Sequence, residues 1–266
     1  MPELPEVEMV RRYLEATSLH QTIRDAAVLD KRIIQRGNSA EHLEQILPGL
    51  QFHSTYRHGK RLFLRLLDDL YLTLHLGLTG VLFYQQVQEA MPRHTRLAVT
   101  FENGHRLAFE DSRIFGEVGL TGDPQSFLKE RKIGPDALQI SRKDFLNIMR
   151  GRKGIVKSAL LNQSLVAGLG NLYADEALFQ AGIGPKSRGL DDAKLSDLFA
   201  CIQLTLSTAL ETHADLSKLP DSFLLPHRHP GGRCPRDGAE LMHEKIGGRT
   251  SYYCPKHQKN GVAERN

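Results

Sequence analysis

Cysteine is scarce in this 266-residue sequence, and long apolar runs are absent. Three cysteines, at positions 201, 234 and 254, are too few and too far apart for a secreted disulfide framework, so a reducing compartment is expected. No apolar run approaches the roughly 18 residues that would read as a membrane span. The opening MPELPEVEMV lacks the basic start and apolar stretch of a secretory signal. A cytoplasmic location follows, with no membrane partner. Internal repeats and long low-complexity segments are missing as well. With 40% hydrophobic and 25% charged residues, the composition argues against disorder and against a membrane class, and leaves one large or two ordinary globular domains.

Charge of one sign is not in great excess either, with 35 Lys and Arg against 31 Asp and Glu. Its distribution says more. Residues 226–266 hold eight Lys or Arg (Arg228, Arg233, Arg236, Lys245, Arg249, Lys256, Lys259, Arg265) against four acids (Asp237, Glu240, Glu244, Glu264). This end reads either as a phosphate-attracting surface or as scattered solvated charge.

Apolar residues Val7, Val10 and Leu14 recur at helical spacing, so a short amphipathic helix leads the chain. From about residue 50 the period becomes two: Leu62, Leu64 and Leu66, then Leu72, Leu74 and Leu76, then Leu97, Val99 and Phe101. Asn103-Gly104 predicts a two-residue hairpin, since both residues tolerate positive φ. Past Gly122-Asp123-Pro124 the pattern turns helical. Ser141 is a candidate N-cap, and Leu195, Leu198, Phe199, Ile202, Leu206 and Ala209 line one side of a longer helix, with Cys201 expected as inert core. Between these lies Gly168-Leu169-Gly170-Asn171, a glycine turn opening a helix. Its free backbone N–H groups at the positive end of the helix dipole make it a chemical anion site.

Pro2 becomes the first residue when Met1 is removed, and a small second residue is what that removal requires. A terminal secondary amine titrates well below a lysine, and the positive end of a helix dipole disfavours its charged form further. Such an amine can attack an electrophilic carbon and form an iminium. Glu3, one residue on, is placed for general acid or base work. Both residues also suit the first turn of a helix without any chemistry.

MPELPEVE resembles the start of the formamidopyrimidine-DNA glycosylase and endonuclease VIII family, and further segments match it in order along nearly the whole chain. The resemblance implies a multidomain α+β fold. Its parts are an N-terminal β-sandwich with a leading helix over 1–125, a helix-two-turn-helix domain over 126–222, and a C-terminal β-hairpin zinc finger over 223–266. It implies a bifunctional glycosylase and abasic-site lyase of base excision repair, working as a monomer without a redox cofactor. The partner would be double-stranded DNA containing oxidised bases or abasic sites, and the setting the cytoplasm and nucleoid of a bacterium.

Carried onto this sequence, the resemblance makes Pro2 the nucleophile at C1′ of the damaged nucleotide, Glu3 the acid at the sugar ring oxygen and Glu6 a further acid of the motif. HGKRLFLRL puts Lys60 on the catalytic lysine. HLGLTG (75–80) and EDSRIFG (110–116) resemble two loops that fill the gap left by an extruded base, with Leu78, Arg113 and Phe115 where the formamidopyrimidine type has Met, Arg and Phe. An apolar wedge with a cation for the orphaned base offsets an unstacking cost of a few kcal/mol. VAGLGNLYADEALFQAGIGP resembles the helix-two-turn-helix, with Asn171 on the phosphate-binding position and Lys157 on an upstream lysine. Arg249, at a Gly-Gly turn, matches an arginine that grips phosphates.

The last segment has the family's finger spacing without its four cysteines: Cys234-x2-Asp237, sixteen residues, then Cys254-x2-His257. Two thiolates, a carboxylate and an imidazole can make a tetrahedral zinc site. His243 or His229 stand as alternatives to Asp237, and a metal-free hairpin as the alternative to zinc. LSKLPDSFLLPHRHPGGR is shorter than the loop with which the formamidopyrimidine type caps flipped 8-oxoguanine, a cap that endonuclease VIII also lacks. Base preference is therefore open. Two rival functions remain: a non-catalytic damaged-DNA-binding protein, and an RNA-binding role for the helical part.

Overall fold

The computed structural model describes residues 2–261. Met1, whose removal the chemistry expects, lies outside the described residues, as do Glu264 and Arg265 of the basic end. The chain divides into two compact units: Pro2 with residues 6–131, and residues 3–5 with 132 onward. Helix α1 (Leu4–Thr17) opens the chain, and a short helix α2 (Ala40–Ile46) follows in the first unit. Pro5 occupies the first turn of α1, where a missing N–H costs nothing, and Glu6 complements the dipole there. Glu8 is held by Arg11 and Arg12 at helical spacing and by buried Arg57.

The first unit contains eight strands: β1 (Ile23–Val28), β2 (Ser54–His58), β3 (Arg61–Leu67), β4 (Leu70–His75), β5 (Val81–Gln86), β6 (Thr95–Phe101), β7 (His105–Glu110) and β8 (Glu117–Thr121). They form two antiparallel four-stranded sheets, ordered β1-β6-β7-β5 and β2-β3-β4-β8. A shared core gathers Leu62, Leu64 and Leu74 from one sheet with Leu97, Val99 and Phe109 from the other, as period-two patterning requires. Several strands, β3, β4, β6 and β7 among them, depart from strict alternation. Phe63 is also fully buried, because its ring meets Phe127 of the short helix α3 (Pro124–Glu130) edge-on at 5.6 Å. That contact carries the first unit to Arg131, beyond the boundary expected near 125.

The hairpin at Asn103-Gly104 differs from expectation. Three residues, Glu102 to Gly104, join β6 to β7, and only Gly104 is left-handed, at φ +81°. Asn103 instead uses its side chain, accepting from His105 N–H and donating to Gln21 and the Tyr84 hydroxyl.

In the second unit, α4 (Arg142–Met149) is capped by Ser141, whose hydroxyl accepts from Asp144 N–H. Then come α5 (Val156–Leu161), α6 (Asn171–Gln180) and the long α7 (Asp192–Glu211). Leu160, Tyr173, Ala177, Leu198, Ile202 and Leu206 build their common core, and Leu4 packs into it. Cys201, expected as core, sits half-buried on α7, with its thiol pushed up by burial. A hairpin of β9 (Met242–Ile246) and β10 (Arg249–Tyr253) closes the chain over a small cluster of Phe179, Leu224, Cys234, Leu241, Tyr252 and Cys254. No helix among the described residues is long and apolar enough to cross a membrane.

Candidate active site and nucleic-acid interface

The glycine turn before α6 is an anion site, but the anion is internal. Glu3, almost fully buried, accepts from Gly170 N–H (2.9 Å) and Tyr173 N–H (3.3 Å) on Oε2, and from Leu172 N–H (2.9 Å) on Oε1. Leu4 N–H donates to the Gly168 carbonyl at 3.1 Å. The glycines make room for this: a Cβ on Gly170 would fall 2.3 Å from Glu3 Cδ, and one on Gly168, at φ +114°, 2.6 Å from Leu4 Cδ1. The N–H groups of the turn, expected to be free for an anion, are thus already taken. They hold a carboxylate of the same chain, and α6 has no side-chain cap of its own because Glu3 supplies it.

Behind the first turn of α6 lies a buried polar network. Lys157 is fully buried, and its ammonium donates to Asn171 Oδ1 (2.8 Å), Asp175 Oδ1 (2.5 Å) and Ser251 Oγ (2.5 Å). All three of its protons are used. Burial lowers its pKa, against the pull of Asp175. Lys157 was expected at DNA; fully enclosed, it can only act through the groups it holds. Asn171 is fixed at both ends, its Nδ2 donating to Thr250 carbonyl at 2.9 Å. Next to Thr250, Arg249 is exposed just past a turn in which Gly247 (φ +56°) and Gly248 (φ +76°) are both left-handed, as a two-residue hairpin demands.

In the finger, Cys234, Asp237 and Cys254 bring their donor atoms within 4.8 Å of one another. The Cys254 thiol donates to Asp237 at 3.2 Å, and burial pushes that thiol up to about 11. His257 is not part of this group. Its ring stands edge-on to Phe179, and its Nε2 lies 2.8 Å from the Phe179 carbonyl oxygen. His243 stacks on Tyr252, and His229 Nδ1 is 3.0 Å from the Pro230 carbonyl, so neither joins the group. Three of the four expected ligands come together.

The first unit holds the remaining residues. Lys60 follows Gly59 (φ +56°) in the turn between β2 and β3, rather than in the strand itself. Pro2 and Glu6 are partly buried at the chain start. Loops 75–80 and 110–116 touch through backbone: a Cβ on Gly77 would meet Phe115 carbonyl carbon at 2.4 Å. Buried Asp111 fastens them, with Oδ1 accepting from Thr79 Oγ1 (2.5 Å) and Arg113 N–H (3.3 Å), and Oδ2 from Gly116 N–H (2.7 Å). Leu78 is partly buried, Arg113 is exposed, and Phe115 is 51% exposed with the Arg113 guanidinium 5.2 Å from its ring centre. Phe115 is therefore not core.

Two family profiles match the sequence: the formamidopyrimidine-DNA glycosylase N-terminal domain over residues 1–118, and the formamidopyrimidine-DNA glycosylase H2TH domain over 133–221. The formamidopyrimidine-DNA glycosylase of Pelotomaculum thermopropionicum is 34% identical over 275 residues, covering 97% of this chain and 99% of that protein. The chain belongs to the formamidopyrimidine-DNA glycosylase family. It is accordingly a DNA glycosylase of DNA repair. A Corynebacterium glutamicum relative of the same name is 36% identical over 287 residues, with 97% and 99% coverage. Among solved structures, the Lactococcus lactis glycosylase bound to DNA with an abasic site superposes with a TM-score of 0.88 at 30% identity, over 97% of this chain and all of that one.

Sequence reasoning missed several residues of this glycosylase. Asp175, Ser251 and Arg228 complete the network around Lys157, yet they are far apart in sequence and carry no spacing signal. His75 was noted only as the start of a loop. It pairs across the sheet with Arg61 on one side and Glu117 on the other, and its Nδ1 accepts from Gly77 N–H at 3.3 Å. Burial, then the Arg61 charge, hold its pKa down at about 4, so the ring is neutral and keeps its Nε2 proton as a donor.

Proposed function

We propose that this glycosylase excises oxidised bases from duplex DNA and then breaks the strand at the abasic site by β,δ-elimination. Pro2, exposed as an amine by loss of Met1, attacks C1′ and displaces the base, and the sugar ring then opens as the C1′–O4′ bond breaks and O4′ takes up a proton at Glu3. The resulting iminium acidifies the adjacent carbon, so that the 3′ phosphate leaves, followed by the 5′ phosphate. The observation that carries this reading is Glu3: a buried carboxylate, fixed by three backbone N–H groups one peptide bond from the amine. Held in this way one residue from the amine, the carboxylate is placed for general acid or base work at the sugar.

Lys60, Asn171 and Arg249 hold backbone phosphates in this reading, with Lys157 orienting Asn171 from behind. Leu78, Arg113 and Phe115 fill the vacated stack, and Glu6 supports the start of α1. The segment between α7 and Cys234 has no length left to cap a base, since Leu224 and Leu225 N–H groups are bound by Glu176 and Arg228 by Asp175. Base preference stays open in this reading, with 8-oxoguanine the least favoured lesion. For one structural zinc, Cys234, Asp237 and Cys254 supply three donors in this reading, and His257, which stands outside that group, would complete the set only by bringing its Nδ1 to them. A histidine that ligates through one nitrogen characteristically donates the other N–H to a carbonyl, the relation His257 has with Phe179. The metal would cross-link the finger and take no part in the chemistry.

Borohydride reduction in the presence of abasic-site duplex is expected to trap a covalent complex that Pro2→Gly weakens and Glu3→Gln slows. Trapping unchanged by Pro2→Gly would exclude the amine as nucleophile.

A further inference from the structure

Arg228 belongs to the short segment between α7 and the finger, and its guanidinium is committed in three directions. Nε and Nη2 both donate to Asp175 Oδ2, at 3.0 and 2.8 Å, and Nη2 also donates to the Thr250 carbonyl at 2.8 Å. Its plane lies over the Tyr252 ring, 4.9 Å from the centre, and its side chain is only 13% exposed. Asp175 is fully buried and also accepts from Lys157 on Oδ1 and from Tyr252 N–H on Oδ2 at 3.1 Å. The Thr250 carbonyl takes a second proton from Asn171 Nδ2. Arg228 and Asn171 thus meet on one oxygen, directly beside Arg249, and share one carboxylate through Lys157.

We infer that Arg228 is a positioning residue for the phosphate grip, setting the Asn171 amide and the backbone of Thr250 and Arg249 through Asp175 and the Thr250 carbonyl. This rests on the proposed phosphate role of Asn171 and Arg249. The segment that elsewhere would supply a lesion cap here ends inside the network that fixes the backbone grip. A planar fork with two donors on one edge reaches Asp175 and Thr250 together; a lysine offers a single point and cannot stack on Tyr252 in the same way. Coupling through shared hydrogen-bond partners shows as non-additivity.

The test measures the dissociation constant for a duplex carrying a tetrahydrofuran abasic analogue, beside single-turnover cleavage of an abasic duplex at saturating protein. Arg228→Ala is expected to weaken binding about tenfold and to leave the saturating rate within about twofold. Arg228→Lys is expected to stay weak, whereas a role for charge alone predicts rescue. In an Asn171→Ala background, Arg228→Ala should add clearly less than its full tenfold, because one of the two groups it positions is gone. Where Arg228→Ala does not fold, Arg228→Gln, which keeps a planar donor, takes its place in the cycle. Full additivity, or wild-type binding by folded Arg228 variants while Asn171→Ala is weakened, overturns this inference alone. Wild-type binding by Asn171→Ala would overturn the phosphate grip itself, and the inference with it.

Discussion

The Glu3 carboxylate fills the space into which a side chain on Gly170 would project: a Cβ there would lie 2.3 Å from Glu3 Cδ and 2.4 Å from Oε1. Gly170→Ala must therefore push Glu3 off the α6 N-terminus. The expected cost in stability is about 1–3 kcal/mol, as for other overpacked sites. Cleavage of an abasic duplex at saturating DNA should fall about a hundredfold, since small misplacements of catalytic groups have effects of that size. Binding of a tetrahydrofuran duplex should change far less. Unaltered turnover in a folded Gly170→Ala protein would remove Glu3 from the mechanism.

Phe115 offers a cleaner separation of folding from function. Half of it is exposed, so Phe115→Ala should alter unfolding free energy by no more than about 0.5 kcal/mol. Excision from a fully paired duplex is nevertheless expected to drop about tenfold, because a wedge offsets a few kcal/mol of unstacking. The same lesion placed in an unpaired bubble should be processed at close to the wild-type rate. Equal losses on both substrates would mean that Phe115 does not act as a wedge.

His75 predicts a pH dependence of stability. Its pKa in the folded chain is about 4, below the ordinary 6.5, so the unfolded chain binds the proton first as pH falls. The stabilisation is complete above about 6.5 and is lost as pH drops towards 4. Arg61, Lys60 and Arg131 oppose the imidazolium while Glu117 favours it. Thermal unfolding between pH 7.5 and 4.5 should thus decline less steeply in His75→Asn than in the wild type. Identical slopes would mean that His75 takes up its proton as readily in the folded chain as in the unfolded one.

Purified protein is expected to carry one equivalent of zinc, and its removal by a chelator to lower the melting temperature. Cys254→Ser should lose the metal outright, and His257→Ala should weaken it. Less than about a tenth of an equivalent in the wild type would make the finger a metal-free hairpin held by its thiol–carboxylate contacts. Full retention in His257→Ala would assign the fourth position to a ligand other than His257.

Much of this was legible in residues that are near neighbours in sequence. Leu62, Leu64 and Leu66 report their sheet face through period two, and Ser141 its cap, because both signals are local. Asn103-Gly104 was legible as a turn but not as a three-residue one, since the Asn103 side chain is held by Gln21 and Tyr84 from elsewhere in the chain. Phe63 reads as an outward position until Phe127 covers it. The burial of Lys157 was not legible, because nothing local reveals that Asp175 and Ser251 enclose it.

The sequence by itself determined the elements, the β-then-helical order of the chain and the chemical identity of the groups available to the site, from an amine with a neighbouring acid to the unusual finger donors. Only the tertiary structure decided which of those groups face each other. It assigned the anion site of the glycine turn to Glu3, buried Lys157 behind Asn171, and brought Arg228 onto Asp175 and the Thr250 carbonyl. The physical reason is that periodicity and turn chemistry act over a few residues, whereas a buried charge takes whichever partner the fold brings within hydrogen-bond reach, at any distance along the chain.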